Sequence, residues 1–394
     1  MTVAGSRGAG PRIHCVTGAT GFVGAALVLE LMARTQDRVL CLVRKGESGE
    51  SPDARLRAAL LTAARGAGLE GLVGEIDRRC TVLPGDLVAA NCGVALDGRE
   101  KVNDFWHCAA SLKFSEEDRD EIFQHNVQGT SNVVDLARSL DCDTFNYMST
   151  AYVCGSREGR IIEGPAATVR VPNNCYEESK IEAEQIVADS GLPFRIIRPS
   201  IVIGYTSTLW TSSDSGFYGY IKKITQLQQL LVSQGRAEIL RDLRVPGNPE
   251  ARLNLVPVDL VARQAVLIAQ SDSNARYFHI CRGASPTLDE MQRHILPKLG
   301  LHGPWIARNP QLGAHPIYER LIEDGMTFYK SYLTGVKEFS VANTLSAIGE
   351  SREPEPFSLQ DLSRYALHFA REWSLLPRDQ VSSRPARSYV YPQP

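Results

Sequence analysis

What this 394-residue chain lacks narrows its chemistry first. No stretch approaches about 18 consecutive apolar residues, the length a helix needs to cross a bilayer, so no membrane span is expected. The opening MTVAGSRGAGPR is short, polar and glycine-rich, without the apolar stretch of a secretory leader, and residues 1–11 read as a loose tail. Neither sign of charge is in excess. Forty-three Lys and Arg against 45 Asp and Glu leave a formal net charge of −2, and no basic cluster is interleaved with aromatics. Nothing therefore steers the chain toward nucleic acid or an anionic membrane. The nine cysteines are odd in number, scattered and without a CxxC pair, and the eight histidines lack metal-ligand spacing. That pattern suits reduced thiols in a cytoplasmic protein; a disulfide framework and a metal are not expected.

What is present is alternation. RIHCVT (12–17), RVLCLVR (38–44), CTVL (80–83), DFWHCA (104–109), TFNYMS (144–149), FRIIRPS (194–200) and RYFHI (276–280) read as buried strands. Helical patterns lie between them at 21–34, at 126–140 and around NCYEESKIEAE (174–184). Strands alternating with helices predict an α/β fold: a Rossmann-type doubly wound parallel sheet over residues 12–284, covered on both faces. Residues 204–255, rich in Gly, Ser, Thr and aromatics, read as an inserted substrate loop or lid. Residues 285–394 read as a smaller, mainly helical C-terminal cap with an extended tail. Within the insertion, FYGYIKKITQLQQLLV (217–232) sets Phe217, Tyr220, Ile221, Ile224, Leu227 and Leu231 near one helical face, which either lines a channel or packs on the core. Lys222 and Lys223 lie off that face, as solvated charges or as partners for phosphates or an acidic surface.

TGATGFVG (17–24) stands between the first strand and the first helix. Gly18, Gly21 and Gly24 permit a tight turn and let backbone approach a pyrophosphate, whose charge a helix N-terminus favours. The second strand ends CLVRKG, where an acid would select the ribose hydroxyls of NAD. Arg44 and Lys45 stand there instead, and two cations suit the 2′-phosphate of NADPH. Asp86, in PGDL after the third strand, either reaches the adenine or serves as a turn residue. Tyr176 and Lys180, four positions apart, share one helix face.

With TGATGFVG, HCAA (107–110), HNVQGT (125–130), STAYVCG (149–155), YEESK (176–180) and RPSIV (198–202) in this order, the chain resembles an extended short-chain dehydrogenase/reductase. HCAASLKFSE (107–116), STAYVCG, IIRPSIV (196–202) and VPVDLVA (256–262) make it similar to the fatty acyl-CoA reductase and thioester reductase branch, of male-sterility type. FYKSYLTGVKEFSVANTLSAI (328–348) looks like the C-terminal module of acyl-CoA reductases; that module contributes Tyr329, Tyr332 and Phe339.

The resemblance implies a catalytic set of Tyr176, Lys180 and Thr150, the last preferred over Ser149. Tyr176 would hydrogen-bond the carbonyl being reduced, its phenol made more acidic by the Lys180 ammonium, which also holds the nicotinamide ribose. Thr150 would share the developing charge. Further implied cofactor contacts are Thr17, Thr20, Phe22 and Val23 in the loop, Leu87 beside Asp86, and Ala109 and Ala110 where backbone must come close. Ser149, Pro199, Ser200 and Ile201 complete them near the nicotinamide, while Asn126 is expected to be structural. The implied reaction is NADPH-dependent reduction of an acyl-CoA or acyl carrier protein thioester to an aldehyde, with the alcohol as a further product. An extended reductase, epimerase or dehydratase acting on a nucleotide-sugar would keep the same core residues. A non-catalytic NADP sensor would not need the Tyr–Lys pair. Carrier, chain length, electron count and oligomeric state stay open at this level.

Overall fold

The computed structural model describes residues 11–95, 100–166, 171–283, 285–308, 315, 317–320, 332–333, 335–352 and 354–375. Its strands, in chain order, are β1 (Ile13–Thr17), β2 (Arg38–Val43), β3 (Cys80–Pro84), β4 (Asp104–His107), β5 (Thr144–Met148), β6 (Gly159–Ile161), β7 (Phe194–Pro199), β8 (Ile201–Ile203), β9 (Arg244–Pro246), β10 (Leu255–Pro257), β11 (Tyr277–Ile280), β12 (Trp305–Ala307) and β13 (Lys337–Phe339). Seven form one sheet in the order β11-β7-β5-β4-β1-β2-β3, and every neighbouring pair is parallel. These are the seven runs read as strands, and their near-continuous apolarity follows from helices covering both faces. The Rossmann-type expectation holds.

The chain leaves β1 toward β2 on one side and returns through β4 on the other, so a crevice opens at the carboxyl ends of β1 and β4. Thr17 pairs with His107 there. The strand expected over 104–109 ends at His107. Cys108 N still bonds Thr17 O at 3.3 Å, but Ala109 N turns to the Thr17 hydroxyl at 3.2 Å, and the segment leaves the sheet.

The helices are α1 (Phe22–Arg34), α2 (Pro52–Ala67), α3 (Val73–Arg79), α4 (Arg119–Phe123), α5 (Gly129–Ser139), α6 (Cys175–Ala188), α7 (Gly216–Ser233), α8 (Val258–Gln270) and α9 (Leu288–Ile295), with later helices at Ala342–Ile348 and Leu359–Glu372. α1, α2 and α8 cover one sheet face through Leu27, Leu31, Leu60, Val261 and Ala265. α5 and α6 cover the other through Val133, Leu136, Ala183 and Val187. A buried ion pair ties α6 to β7: Arg198 donates to both oxygens of Glu184 at 2.8 and 2.6 Å, a bidentate geometry that offsets their desolvation.

The insertion and the C-terminal region share one core, in which Phe217, Ile221 and Leu231 of α7 meet Met291 and Ile295 of α9 and Phe369 of the last helix. β12 pairs with β9, and β13 with β6. Half-buried Glu163 accepts N–H bonds from His279, Asn343 and Thr344, fastening the start of helix Ala342–Ile348 to β11 with a carboxylate at its first turn. Among the described residues no helix is long and apolar enough to cross a membrane. Tyr329, most of the expected N-terminal tail and the C-terminal tail lie outside the described residues.

Candidate active site

The loop after β1 is built for close backbone approach. Gly18 has φ +73°, and a Cβ there would sit 2.6 Å from Ala109 N. A Cβ on Gly24 would sit 2.1 Å from Gly18 O, so only hydrogen fits. Gly21 N bonds Gly18 O at 2.9 Å, closing the turn. Gly21 caps α1 without a side-chain bond, and no acid stands in the first turn. The first N–H groups of α1 thus lie beside a cavity lined by Phe22, Val23 and Gly24, an arrangement that attracts an anion.

That cavity, of about 940 Å³, runs from the glycine loop past α6 and on between α7 and α9. Thr17, Gly18, Thr20 and Gly21 line its start, Asp86, Leu87, Ala109 and Ala110 its side, and Pro199, Ser200 and Ile201 its middle. Arg44 lines it too, joined by Arg55 of α2, which donates to Arg44 O at 2.6 Å. Among the described residues the Arg44 side chain pairs with exposed Glu47 at 3.5 Å, which holds it weakly. Lys45, expected beside Arg44, is exposed and is not part of the wall. Asp86 accepts from Val88 N at 3.2 Å, a turn contact, while still bordering the cavity.

Arg55 was not foreseen because α2 was not. The signals were present: Ser51 accepts from Ala54 N at 3.2 Å as N-cap, Pro52 opens the first turn, and Gly68 ends the helix in the left-handed region.

α6 begins at Asn174, whose side chain accepts from Glu177 N at 2.9 Å. One turn apart, Tyr176 and Lys180 both reach the cavity. Lys180 is 2% exposed; its Nζ donates to Met148 O at 2.9 Å and Tyr147 Oη at 3.1 Å, and lies 4.6 Å from the Tyr147 ring centre. Burial pushes its pKa down to about 8. The phenol of Tyr176 does not follow the expectation that Lys180 would acidify it. Burial raises its pKa above the ordinary value, with the Glu177 charge adding, while the ammonium is taken up by Tyr147 and the Met148 carbonyl. Tyr176 is therefore a neutral hydrogen-bond donor.

Thr150 is buried and lines the cavity, its Oγ1 accepting from Tyr152 N at 3.3 Å as cap of the turn Ala151–Cys154. Its hydroxyl proton remains available to donate. Ser149 Oγ, buried in the same wall, has no hydrogen-bond partner among the described residues. An orphaned buried hydroxyl beside a glycine cradle that excludes any Cβ fits a bound dinucleotide.

Beneath the cavity a buried chain of bonds fixes this geometry. Thr17 Oγ1 meets His107 Nδ1 at 2.7 Å, His107 Nε2 meets Thr130 Oγ1 at 3.0 Å, and Thr130 donates to Asn126 O at 2.6 Å. Burial, reinforced by the Lys180 charge, pushes His107 down to about 3, so it is neutral. Asn126 bonds the backbone of Ser111 in both directions and the Ser179 hydroxyl, the structural role expected of it.

The far end is apolar. Phe217, Tyr220 and Ile221 of α7, Met291 and Ile295 of α9, Ile306 of β12 and Leu333 line it. The α7 stripe thus divides: its first turns face the chamber, whereas Ile224, Leu227 and Leu231 pack in the core. Gln292 braces the chamber wall, donating to the Tyr220 hydroxyl and to Pro304 O and accepting from Ile306 N at 2.9 Å. Lys222 pairs with Asp214 at 2.6 Å, and exposed Lys223 stands on the rim.

A family model described as male sterility protein matches residues 16–265. Fatty acyl-CoA reductase 1 of Gallus gallus is 27% identical over 288 residues, 64% of this chain and 53% of that protein. The chain spans about half the length of such relatives. Alcohol-forming fatty acyl-CoA reductase of Simmondsia chinensis is 23% identical over 411 residues, covering 84% of this chain and 79% of that protein. Among solved structures, the terminal R domain from the myxalamid PKS-NRPS biosynthetic pathway matches with a TM-score of 0.71 at 24% identity, covering 93% of this chain and 92% of that one. UDP-glucuronic acid 4-epimerase from Bacillus cereus in complex with NAD gives 0.60 at 16% identity, covering 92% and 98%. At these identities the structural likeness speaks for the fold alone.

Proposed function

Because the chain belongs to the male sterility protein family, we propose that it uses NADPH to reduce an acyl thioester, borne by coenzyme A or a carrier protein, to the aldehyde or the primary alcohol. The observation that carries this reading is the continuity of the cavity, from an anion-binding glycine loop, past Thr150, Tyr176 and Lys180, into an apolar chamber. Arg44 and Arg55 at its adenine end would hold a 2′-phosphate, which is why NADPH is preferred to NADH. The nine free thiols, seven of them buried, suit a reducing, cytoplasmic setting.

Bound NADPH would supply the hydride. Tyr176 and Thr150 then donate hydrogen bonds to the thioester carbonyl oxygen, and those bonds strengthen as negative charge develops on it. Lys180, held by Met148 O and Tyr147, keeps a fixed positive charge one helical turn from Tyr176. Collapse of the resulting hemithioacetal expels the thiol. In a second round on the aldehyde, Tyr176 gives its proton to the alkoxide. No cysteine nucleophile takes part: Cys108, in the cavity wall, has its pKa pushed up to about 12 by burial and stays a thiol.

The direct test is mass spectrometry of products after incubation with NADPH and a panel of acyl-CoA and acyl carrier thioesters. Aldehyde or alcohol is expected. If sugar nucleotides are transformed and thioesters are not, the nucleotide-sugar reading replaces this one. The apolar side chains of Phe217, Ile221, Met291, Ile295 and Leu333 suit a hydrocarbon chain better than a sugar's hydroxyls, which favours the thioester reading.

A further inference from the structure

Two consecutive residues from outside the parallel sheet reach into the cavity, and they belong to different packing clusters. Leu333 is buried in the core shared by α7 and α9, beside Ile306 and Gly247, and its carbonyl accepts from Asn248 N at 2.6 Å. Tyr332 packs instead against the catalytic end. Its ring centre lies 4.6 Å from that of Tyr152 at 69°, and Tyr152 meets Phe339 at 5.5 Å and 70°, both edge-to-face. Glu177, Tyr152 and Tyr176 are electrostatic neighbours of the Tyr332 phenol, which is also hydrogen-bonded with the side chain of Asn174, the N-cap of α6. Tyr152 in turn donates its N–H to Thr150 Oγ1, so one aromatic pair touches the surroundings of both proposed oxyanion donors. Tyr152, Tyr332 and Leu333 all line the cavity. The backbone between Tyr332 and Leu333 therefore marks the joint where the catalytic end passes into the apolar chamber.

We propose that Tyr332 is a substrate-positioning residue: with Tyr152 it forms the aromatic wall that holds the acyl thioester carbonyl toward Tyr176 and Thr150 and directs the acyl chain past Leu333 into the chamber. The assignment rests on the thioester reading above. It makes the active site composite, with the sheet domain supplying the chemistry and the C-terminal region supplying the surface that aims the substrate. The glycine loop that would hold the pyrophosphate is formed by other residues, so the assignment places the effect of Tyr332 on the acyl substrate and predicts little change in overall dinucleotide affinity.

The test compares wild type with Tyr332→Phe, Tyr332→Leu and Tyr332→Ala. It measures calorimetric binding of a non-reducible thioether analogue of an acyl-CoA, NADPH binding by fluorescence, and kcat and KM for thioester-dependent NADPH oxidation. Tyr332→Ala is expected to weaken analogue binding and raise the thioester KM about tenfold or more, with NADPH affinity within about twofold of wild type. Tyr332→Leu should fall between, and Tyr332→Phe, which keeps the ring, should stay within about threefold. NADPH binding also reports folding; if Tyr332→Ala loses it, Tyr332→Leu decides. Unchanged analogue binding in the Ala or Leu variant, or an equal weakening of NADPH and analogue, overturns the assignment. A wild type that binds the analogue without oxidising NADPH overturns thioester reduction alone, and the variants' binding still decides the wall. A wild type that binds neither this analogue nor the same thioether borne on a carrier protein overturns both.

Discussion

The two ends of the cavity rest on different physics. At the dinucleotide end, eight consecutive residues set the shape, and the fit is between backbone atoms: one added carbon on Gly24 would fall 2.1 Å from Gly18 O. Its polar groups are fixed in buried, directional bonds, from Thr17 through His107 to Thr130. At the chamber end the wall is assembled from α7, α9, β12 and Leu333, by apolar side chains whose attraction is non-directional. The first end tolerates almost nothing; the second tolerates changes of size and answers them with altered preference. Precision resides where charge is handled, and adjustability where a hydrocarbon is held.

The sharpest break of that contrast would come from Gly24→Ala. The clash is with backbone that cannot move aside, so NADPH binding, followed by fluorescence, should drop at least about a hundredfold, with circular dichroism confirming the fold. Survival of binding would show that the loop is softer than its geometry.

Lys180 comes next, because it separates chemistry from stability. Its pKa in the folded protein is about 8, against about 10.4 for an unperturbed lysine. Between these values the unfolded chain binds more protons, so stability rises with pH over that window. Below it, holding the charge inside costs about 3 kcal/mol. Lys180→Met should therefore abolish turnover while raising the melting temperature at pH 7 and removing the stability gain between about pH 8 and 10.4. For the wild type, kcat/KM for NADPH should fall as pH rises through about 8, because Lys180 loses the positive charge with which it is proposed to hold the nicotinamide ribose.

A smaller effect is expected at Arg55. Removing one charge-assisted partner of the 2′-phosphate in Arg55→Ala should raise the KM for NADPH about tenfold and leave that for NADH unchanged, measured by cofactor oxidation at saturating thioester. At the chamber end, Met291→Ala should change only the choice of acyl chain, by a few-fold in relative kcat/KM across a chain-length series, with the KM for NADPH unaltered. Equal losses for every chain would mean that the chamber does not hold the acyl group.

How much of this was legible in the sequence follows the same division. The glycine loop, Thr150, and the pairing of Tyr176 with Lys180 are contiguous or periodic features, and the fold brings all of them to one cavity. So are the seven strands, whose apolar runs reflect burial on both faces. Lys45 was paired with Arg44 on adjacency in sequence; at a strand end successive side chains point to opposite sides, and of these two exposed cations Arg44 is the one that borders the cavity. Arg55 was visible in principle through the Ser51, Pro52 and Gly68 signals of its helix. The Tyr176–Lys180 spacing was readable, but not the desolvation that raises the phenol, since burial depends on what packs from elsewhere. Tyr332 could be noted as an aromatic of the C-terminal region, yet its contact with Tyr152 joins segments 180 positions apart, and no local pattern encodes that.

One comparison tests the central claim most directly: NADPH oxidation driven by a long-chain acyl-CoA, for wild type and Tyr176→Phe, with NADPH affinity measured alongside. The expected result is thioester-dependent turnover in the wild type that falls about 10²- to 10⁴-fold in the variant while NADPH binding is retained. Undiminished turnover in Tyr176→Phe, or no thioester-dependent oxidation by the wild type, would contradict it.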